Sequence, residues 1–373
     1  MTIAINAAFF FYSPGNDFFY DRFMALAACQ PKHRFIFIVS PVNYKPAKSF
    51  ENITMIVSAP GADNPLMWKI WLNYTLPGIA RKHRAEILIH TGGACSLRTK
   101  TPQCVFISDL SFFYFPQFFS KKQLGFLKKN LPAFLEKATT IVTASDFLTK
   151  EIAGKYALDE KKITSFQINP AGIYQPIGWE EKEAIREKYT EGKEYFLFSG
   201  EIHLRSNLIN LLKAFSFFKK RQKSNMQLVI IAIGVVADDR FSEDLKTYKF
   251  RKEVVFLTGL PENEHAKITA AAYAFVYPVL YEGMALFPLR AVHCEVPVIA
   301  GNIPAIVEKV QQGGLYFDPA SFEDIADKMM LLFKDENKRA ALINKKNRAV
   351  RENVICEANE ILWQVIFKTG ARV

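Results

Sequence analysis

The sequence predicts an α/β chain built from two successive parallel-sheet domains. Short apolar runs alternate with longer amphipathic ones along the whole chain. The rhythm breaks near Asn169-Pro170-Ala171-Gly172 and then restarts. A length of 373 residues also suits two domains of about 150–200 residues better than one.

In the first half, strands are expected at Thr2–Phe9, Arg34–Ser40, Ile53–Ser58, Glu86–His90, Cys104–Ser108, Thr139–Thr143 and Ile163–Gln167. Each is a short apolar run bounded by turn-forming residues. Helices are expected at Asp17–Ala28, Pro65–His83, Lys121–Lys137 and Ser145–Tyr156, the last opening on a serine and an aspartate suited to capping. Tyr174–Gly178 reads as a linker, so the domains are expected at 1–173 and 174–354.

The second half repeats the pattern, with a charged helix at Glu180–Tyr189, a strand at Tyr195–Ser199, and a long helix at Asn207–Arg221. Further strands are expected at Gln227–Ile233, Val254–Thr258, Ala274–Tyr277, Pro297–Ala300 and Gly314–Phe317. A final apolar helix near Ile355–Thr369, within residues 355–373, either returns to the first domain or stays on its own. In parallel sheets ligands bind beyond the carboxyl ends of the strands, so two facing domains of this kind imply a cleft with a small-molecule site.

Composition narrows the function. Half the residues are apolar and 23% are charged, which excludes wholesale disorder. The 33 phenylalanines imply a bulky aromatic core or exposed apolar patches. The longest apolar run, Leu228 to Ala237, is about half of the 18–20 residues that span a bilayer and reads as a buried strand. The first residues lack a basic leader and a small-residue cleavage site, so a cytoplasmic protein is expected. The five cysteines (Cys29, Cys95, Cys104, Cys294, Cys356) show no metal-ligand spacing and read as free thiols, so no metal site is expected. Residues 1–175 hold 20 Lys and Arg against 11 Asp and Glu, most of the net +11. Such a basic half suits a solvated surface, an acidic acceptor or the inner membrane face. No nucleic-acid-binding motif accompanies it.

The most informative stretch runs from Ala274 through Tyr281-Glu282-Gly283-Met284-Ala285 and Arg290 to Ile299. With Tyr195–Asn207 upstream, Ile303-Pro304 through Glu308, and Gly314–Pro319 downstream, it resembles the donor-site signature of family 4 glycosyltransferases. In the first half, Cys95–Lys100 and Ile107–Leu110 resemble the same group.

The resemblance implies the GT-B fold and retaining transfer of a sugar from a nucleotide-sugar donor to a glycan or lipid-linked acceptor. It implies no cofactor and no metal, and a role in cell-surface polysaccharide synthesis. Glu282 would accept from sugar hydroxyls, with Asp109 as the first-domain acid. The donor side would comprise Gly200, Glu201, Arg205, Ser206, Gly283, Met284, Ala285 and Arg290. The acceptor-side loops would contribute Gly15, Asn16 and Ser108.

The chain departs from the family pattern at four places. The second glutamate, which grips ribose, is Arg290, and arginine cannot accept a hydrogen bond. The basic positions of the phosphate loop are Glu201 and Ser206, and the first-domain histidine is Ser108. One lost charge-assisted bond is worth about 1.5–3 kcal/mol. Arg205 is placed to substitute for the missing lysine, or is a surface residue. Glu201 and Arg290, of opposite charge, are expected to pair where donor would lie. Two readings therefore stand beside each other: an active transferase with an altered donor, and a non-catalytic binding or scaffold protein. A third class, such as an epimerase on the same fold, lacks a visible charged pair.

Overall fold

The computed structural model describes residues 1–8, 14–41, 50–60, 64–166, 170, 172–234, 239–343 and 355–370. They form two compact units, Met1–Gln167 with Cys356–Val373, and Ile168–Ile355. The expected break at Asn169 and Ala171 lies outside the described residues.

The first unit is a sheet of β1 (Thr2–Ala7), β2 (Arg34–Val39), β3 (Ile53–Val57), β4 (Ile87–His90), β5 (Gln103–Ile107), β6 (Thr140–Thr143) and β7 (Ile163–Ser165). Its order is β3-β2-β1-β4-β5-β6-β7, and every pair is parallel. The inner strands are buried along nearly all their length, because helices cover both faces of a parallel sheet, and each is correspondingly mostly apolar.

Local chemistry sets the helices. Ser120 and Gln123 form a reciprocal capping box at the start of Lys121–Lys137, and Ser145 caps Asp146–Tyr156 by accepting from Leu148 N–H at 3.2 Å. The expected single helix over Pro65–His83 is instead Pro65–Ile70, a π-helical turn at Trp71–Thr75, and Leu76–Lys82. Pro77 has no N–H for the carbonyl one turn back, and the widened turn accommodates that loss. Asn73 supports the turn from both sides, donating to Lys69 O at 2.8 Å and accepting from Leu97 N–H at 2.8 Å.

Gly15 and Asn16, expected in a loop, lie in the first turn of the helix Pro14–Cys29. Proline's fixed φ suits a first helical position, so the chain turns helical there. The helix Ile355–Gly370 belongs to the first unit. Thr369 Oγ1 donates to Thr140 Oγ1 at 3.0 Å, and the Trp363 ring lies 4.6 Å from that of His33. No helix among the described residues is long and apolar enough to cross a membrane.

The second unit is a sheet of β8 (Tyr195–Gly200), β9 (Gln227–Ala232), β10 (Val254–Thr258), β11 (Ala274–Tyr277), β12 (Val298–Gly301) and β13 (Gly314–Phe317), in the order β10-β9-β8-β11-β12-β13. The strand order reverses between β8 and β11, which pair through Ala274 with Phe196 and Phe275 with Leu197. Tyr174, expected in a linker, is buried in this unit's core. Its hydroxyl meets His265 Nδ1 at 2.9 Å, an attachment that a free linker would not have.

His90 in the first unit and His265 in the second are buried in polar networks. His90 Nδ1 meets the Asn6 amide at 3.3 Å and Nε2 meets Gln103 Oε1 at 2.9 Å. His265 Nε2 meets Ser199 Oγ at 2.6 Å. Burial holds the His90 pKa at about 4; burial, then the charge of Arg290, holds that of His265 at about 3. Both depart downward from an ordinary 6.5.

Stability should therefore be full above pH 6.5 and fall as acid protonates the unfolded chain but not the folded one. For His90 the loss amounts to about 3 kcal/mol once its folded value is reached. Urea unfolding between neutral pH and about pH 4.5 measures it, and His90→Gln should remove the first unit's share.

Candidate functional site

The point where strand order reverses leaves a crevice beyond the strand ends, because the loops from the two central strands lead away in opposite directions. In the second unit those loops follow β8 and β11. They carry most of the residues assigned to the donor.

The loop after β11 is organised by Glu282. Its Oε1 accepts from Met284 N–H at 2.8 Å and its Oε2 accepts from the Tyr277 hydroxyl at 2.7 Å. Burial, then the Glu282 charge, raises the Tyr277 pKa well above its ordinary value, so the phenol stays a donor. The turn passes through Ala285, left-handed at φ 54°, into the helix Leu286–His293. The carboxylate keeps unused lone pairs and remains half-buried beside this helix start. No side chain caps the helix at Ala285, and its first-turn amides suit an anion.

The loop after β8 starts at Gly200, where an added Cβ would come within 3.4 Å of Phe198. Ser206 is 1% exposed and lies beneath the loop. Its hydroxyl donates to Glu201 O at 2.6 Å and contacts His203 Nδ1 at 3.0 Å. His203 Nε2 stands 3.5 Å from Glu201 Oε2 and 3.5 Å from Arg205 Nη2. The two loops are joined: Leu280 N–H donates to Arg205 O at 2.9 Å, and the Asn207 amide donates to Pro278 O at 2.9 Å. Glu201 and Arg205 both act on the Tyr277 hydroxyl, raising and lowering its pKa respectively. Glu201, His203, Arg205, Tyr277 and Glu282 thus form one charged and polar cluster.

Arg290 lies elsewhere. Its guanidinium pairs with Glu262 at 3.4 Å, with Cζ 4.6 Å from the Tyr174 ring centroid and 5.2 Å from that of Phe287. The expected Glu201–Arg290 pair does not form. Glu262 opens the helix Glu262–Ala271 and Arg290 lies in the last turn of its own helix, so each charge also complements its helix dipole. Glu201 instead stands against His203. Arg290 Nε is buried with no hydrogen-bond partner.

In the first unit, Ser108 and Asp109 follow the end of β5 and are half-buried. Asp109 Oδ1 accepts from Ser111 N–H at 2.5 Å, starting a short helix at Ser111–Tyr114 that periodicity did not disclose. In and just after it, Phe113, Tyr114, Phe115 and Phe118 are at least partly exposed, with Phe115 and Phe118 stacked at 5.7 Å. Sequence reasoning missed Tyr277 and His203 as members of the cluster. Tyr277 ends a strand five residues before Glu282, a spacing that could have flagged it.

Two open parallel sheets, each with its strand order reversing beside the first strand, define the GT-B class of fold. Solved structures share it: WaaG, a glycosyltransferase involved in lipopolysaccharide biosynthesis, has a TM-score of 0.76 at 14% identity, covering 98% of this chain and 99% of that one. HepE of Anabaena in complex with UDP-glucose has a TM-score of 0.74 at 11% identity over the whole of both chains. Residues 180–349 match the family model of glycosyl transferases group 1. Among curated relatives, O-antigen chain mannosyltransferase B of Escherichia coli is 27% identical over 232 residues, 62% of this chain and 61% of that protein. The match thus spans less than two thirds of that relative.

Tyr277→Phe should destabilise the second unit by about 1.5–3 kcal/mol, since it leaves a carboxylate oxygen without its buried donor. Denaturant unfolding checks this, and an unchanged midpoint would mean that the bond contributes nothing.

Proposed function

We propose that this chain is a retaining glycosyltransferase that moves a hexose from a nucleoside-diphosphate donor to a glycan or lipid-linked acceptor in cell-surface polysaccharide assembly. The carrying observation is the joined pair of loops after β8 and β11. It gathers a sugar-binding carboxylate, cationic and imidazole donors, and an uncapped helix start around one crevice. The family match over residues 180–349 and the mannosyltransferase relative support it, and the latter favours a mannosyl-type donor.

Glu282 accepts from the donor's sugar hydroxyls, and Arg205 offsets the diphosphate charge. The acceptor oxygen bonds to the anomeric carbon as the bond from that carbon to phosphate breaks. The acceptor's proton passes to the departing phosphate on the same face, so no protein nucleophile is required. The protein supplies position and charge stabilisation. No cofactor takes part in this scheme.

A second reading, a non-catalytic binding protein, draws on a specific observation. Both Glu282 oxygens already have protein donors, and Arg290 is tied to Glu262.

UDP-, GDP- and ADP-sugars titrated by thermal shift and calorimetry decide between them. A donor at a hundred times its Kd should stabilise the fold by about 2.7 kcal/mol. Indifference to every nucleotide would favour the second reading.

The acceptor side is assigned to the first unit, and with it peripheral association with an anionic membrane from the cytoplasmic side. Exposed Lys121, Lys122, Lys128 and Lys129 on the helix Lys121–Lys137 follow the partly exposed aromatic segment, a pairing suited to a charged interface. The chain should co-sediment with phosphatidylserine vesicles, less so at high salt, and not with phosphatidylcholine alone. Binding that ignores lipid charge would reject this assignment.

A further inference from the structure

We propose that His203 is a diphosphate-contacting residue of the donor site, acting with Arg205, and that Glu201 is the internal counter-ion that the donor displaces. The inference rests on the nucleotide-sugar reading above and specifies how this chain meets the phosphates.

A nucleoside-diphosphate sugar brings two negative charges to the crevice beyond β8 and β11. The cluster there holds two carboxylates, Glu201 and Glu282, and one guanidinium, Arg205. Glu282 is committed to its own turn by Met284 N–H and the Tyr277 hydroxyl, so it stays in place. Ser206 is too buried to reach a ligand and carries no charge. The remaining donor group beside Arg205 in this cluster is the His203 imidazole, whose side chain is 29% exposed.

The imidazole is well held. Ser206 Oγ contacts its Nδ1 at 3.0 Å and accepts from the His203 N–H at 3.2 Å. Because the Ser206 hydroxyl proton goes to Glu201 O, Nδ1–H donates to Ser206 Oγ, and Nε2, 3.5 Å from both Glu201 Oε2 and Arg205 Nη2, becomes a donor when the ring carries its second proton. The Glu201 carboxylate therefore occupies a place beside the imidazole that a phosphate oxygen would take. Its own side chain is 19% exposed, and a diphosphate and this carboxylate would repel each other if both remained in place. Ser206 becomes the positioning residue that fixes the imidazole, and the absence of a cation at position 206 is met three residues away.

Calorimetry with UDP and GDP against UMP and GMP tests this on the full chain. His203→Ala should weaken diphosphate binding about ten- to a hundredfold while leaving the monophosphate within about twofold, as expected for one charge-assisted bond. His203→Asn, which keeps a donor near Ser206, guards against misfolding and should show the same diphosphate-selective loss. Glu201→Gln should tighten diphosphate binding by about tenfold, since a competing charge is removed. Ser206→Ala should give a smaller loss of the same selectivity. If wild type binds the diphosphates and His203→Ala matches it, or loses both nucleotide classes equally, the inference is overturned and the transferase reading stands. Weaker binding by Glu201→Gln overturns the counter-ion role. If wild type binds none of the four nucleotides, the donor reading fails and takes the inference with it.

Discussion

The pairing of β8 with β11 constrains everything assigned to the donor side. These strands are 78 residues apart at both paired positions, Phe196 with Ala274 and Leu197 with Phe275, and their contact exists only because β9 and β10 were laid down on one flank before the chain crossed to the other. Once they are adjacent, Gly200 and Tyr277 end side by side and their loops have to share one crevice. The Leu280–Arg205 and Asn207–Pro278 hydrogen bonds follow from that adjacency. The charged cluster is therefore a product of sheet topology. No local segment could build it.

The two acids of the cluster are held very differently. Glu282 is fixed by a backbone amide and a buried phenol, and its geometry is set before any ligand arrives. Glu201 faces an imidazole at ion-pair distance, near the surface, where such pairs contribute little stability and rearrange readily. A rigid acid beside a movable one is a sensible division for a site that has to orient a neutral sugar while admitting an anion. Arg290 takes no part in either task. It bridges two helices and a tyrosine ring, so its departure from the family pattern has a packing explanation within this chain.

The fold was legible in the sequence because the strands of a parallel sheet are apolar on both faces. Val254–Thr258, Ala274–Tyr277 and Gly314–Phe317 fall where their composition puts them. The helix from Pro65 was legible as a helix, but its π-helical turn depends on Asn73 reaching Leu97, a contact that no periodicity encodes. The short Ser111–Tyr114 helix is hidden in an aromatic run without alternation. At the site, Glu282 and Gly200 were visible as a pattern of residue types. The partner of Arg290 was not, because Glu262 precedes it by 28 positions and meets it through helix packing. His203 was passed over because a single loop histidine has no distinguishing sequence context.

The helix Ile355–Gly370 has a consequence for biosynthesis. The first unit needs residues that follow the entire second unit in the chain. On the ribosome, Ile168–Ile355 emerges as one continuous stretch, while the earlier residues wait for Thr369 to reach Thr140. The unit made first is thus completed last, and a nascent chain stalled before residue 355 would expose the apolar surface that Leu362, Val365 and Ile366 cover.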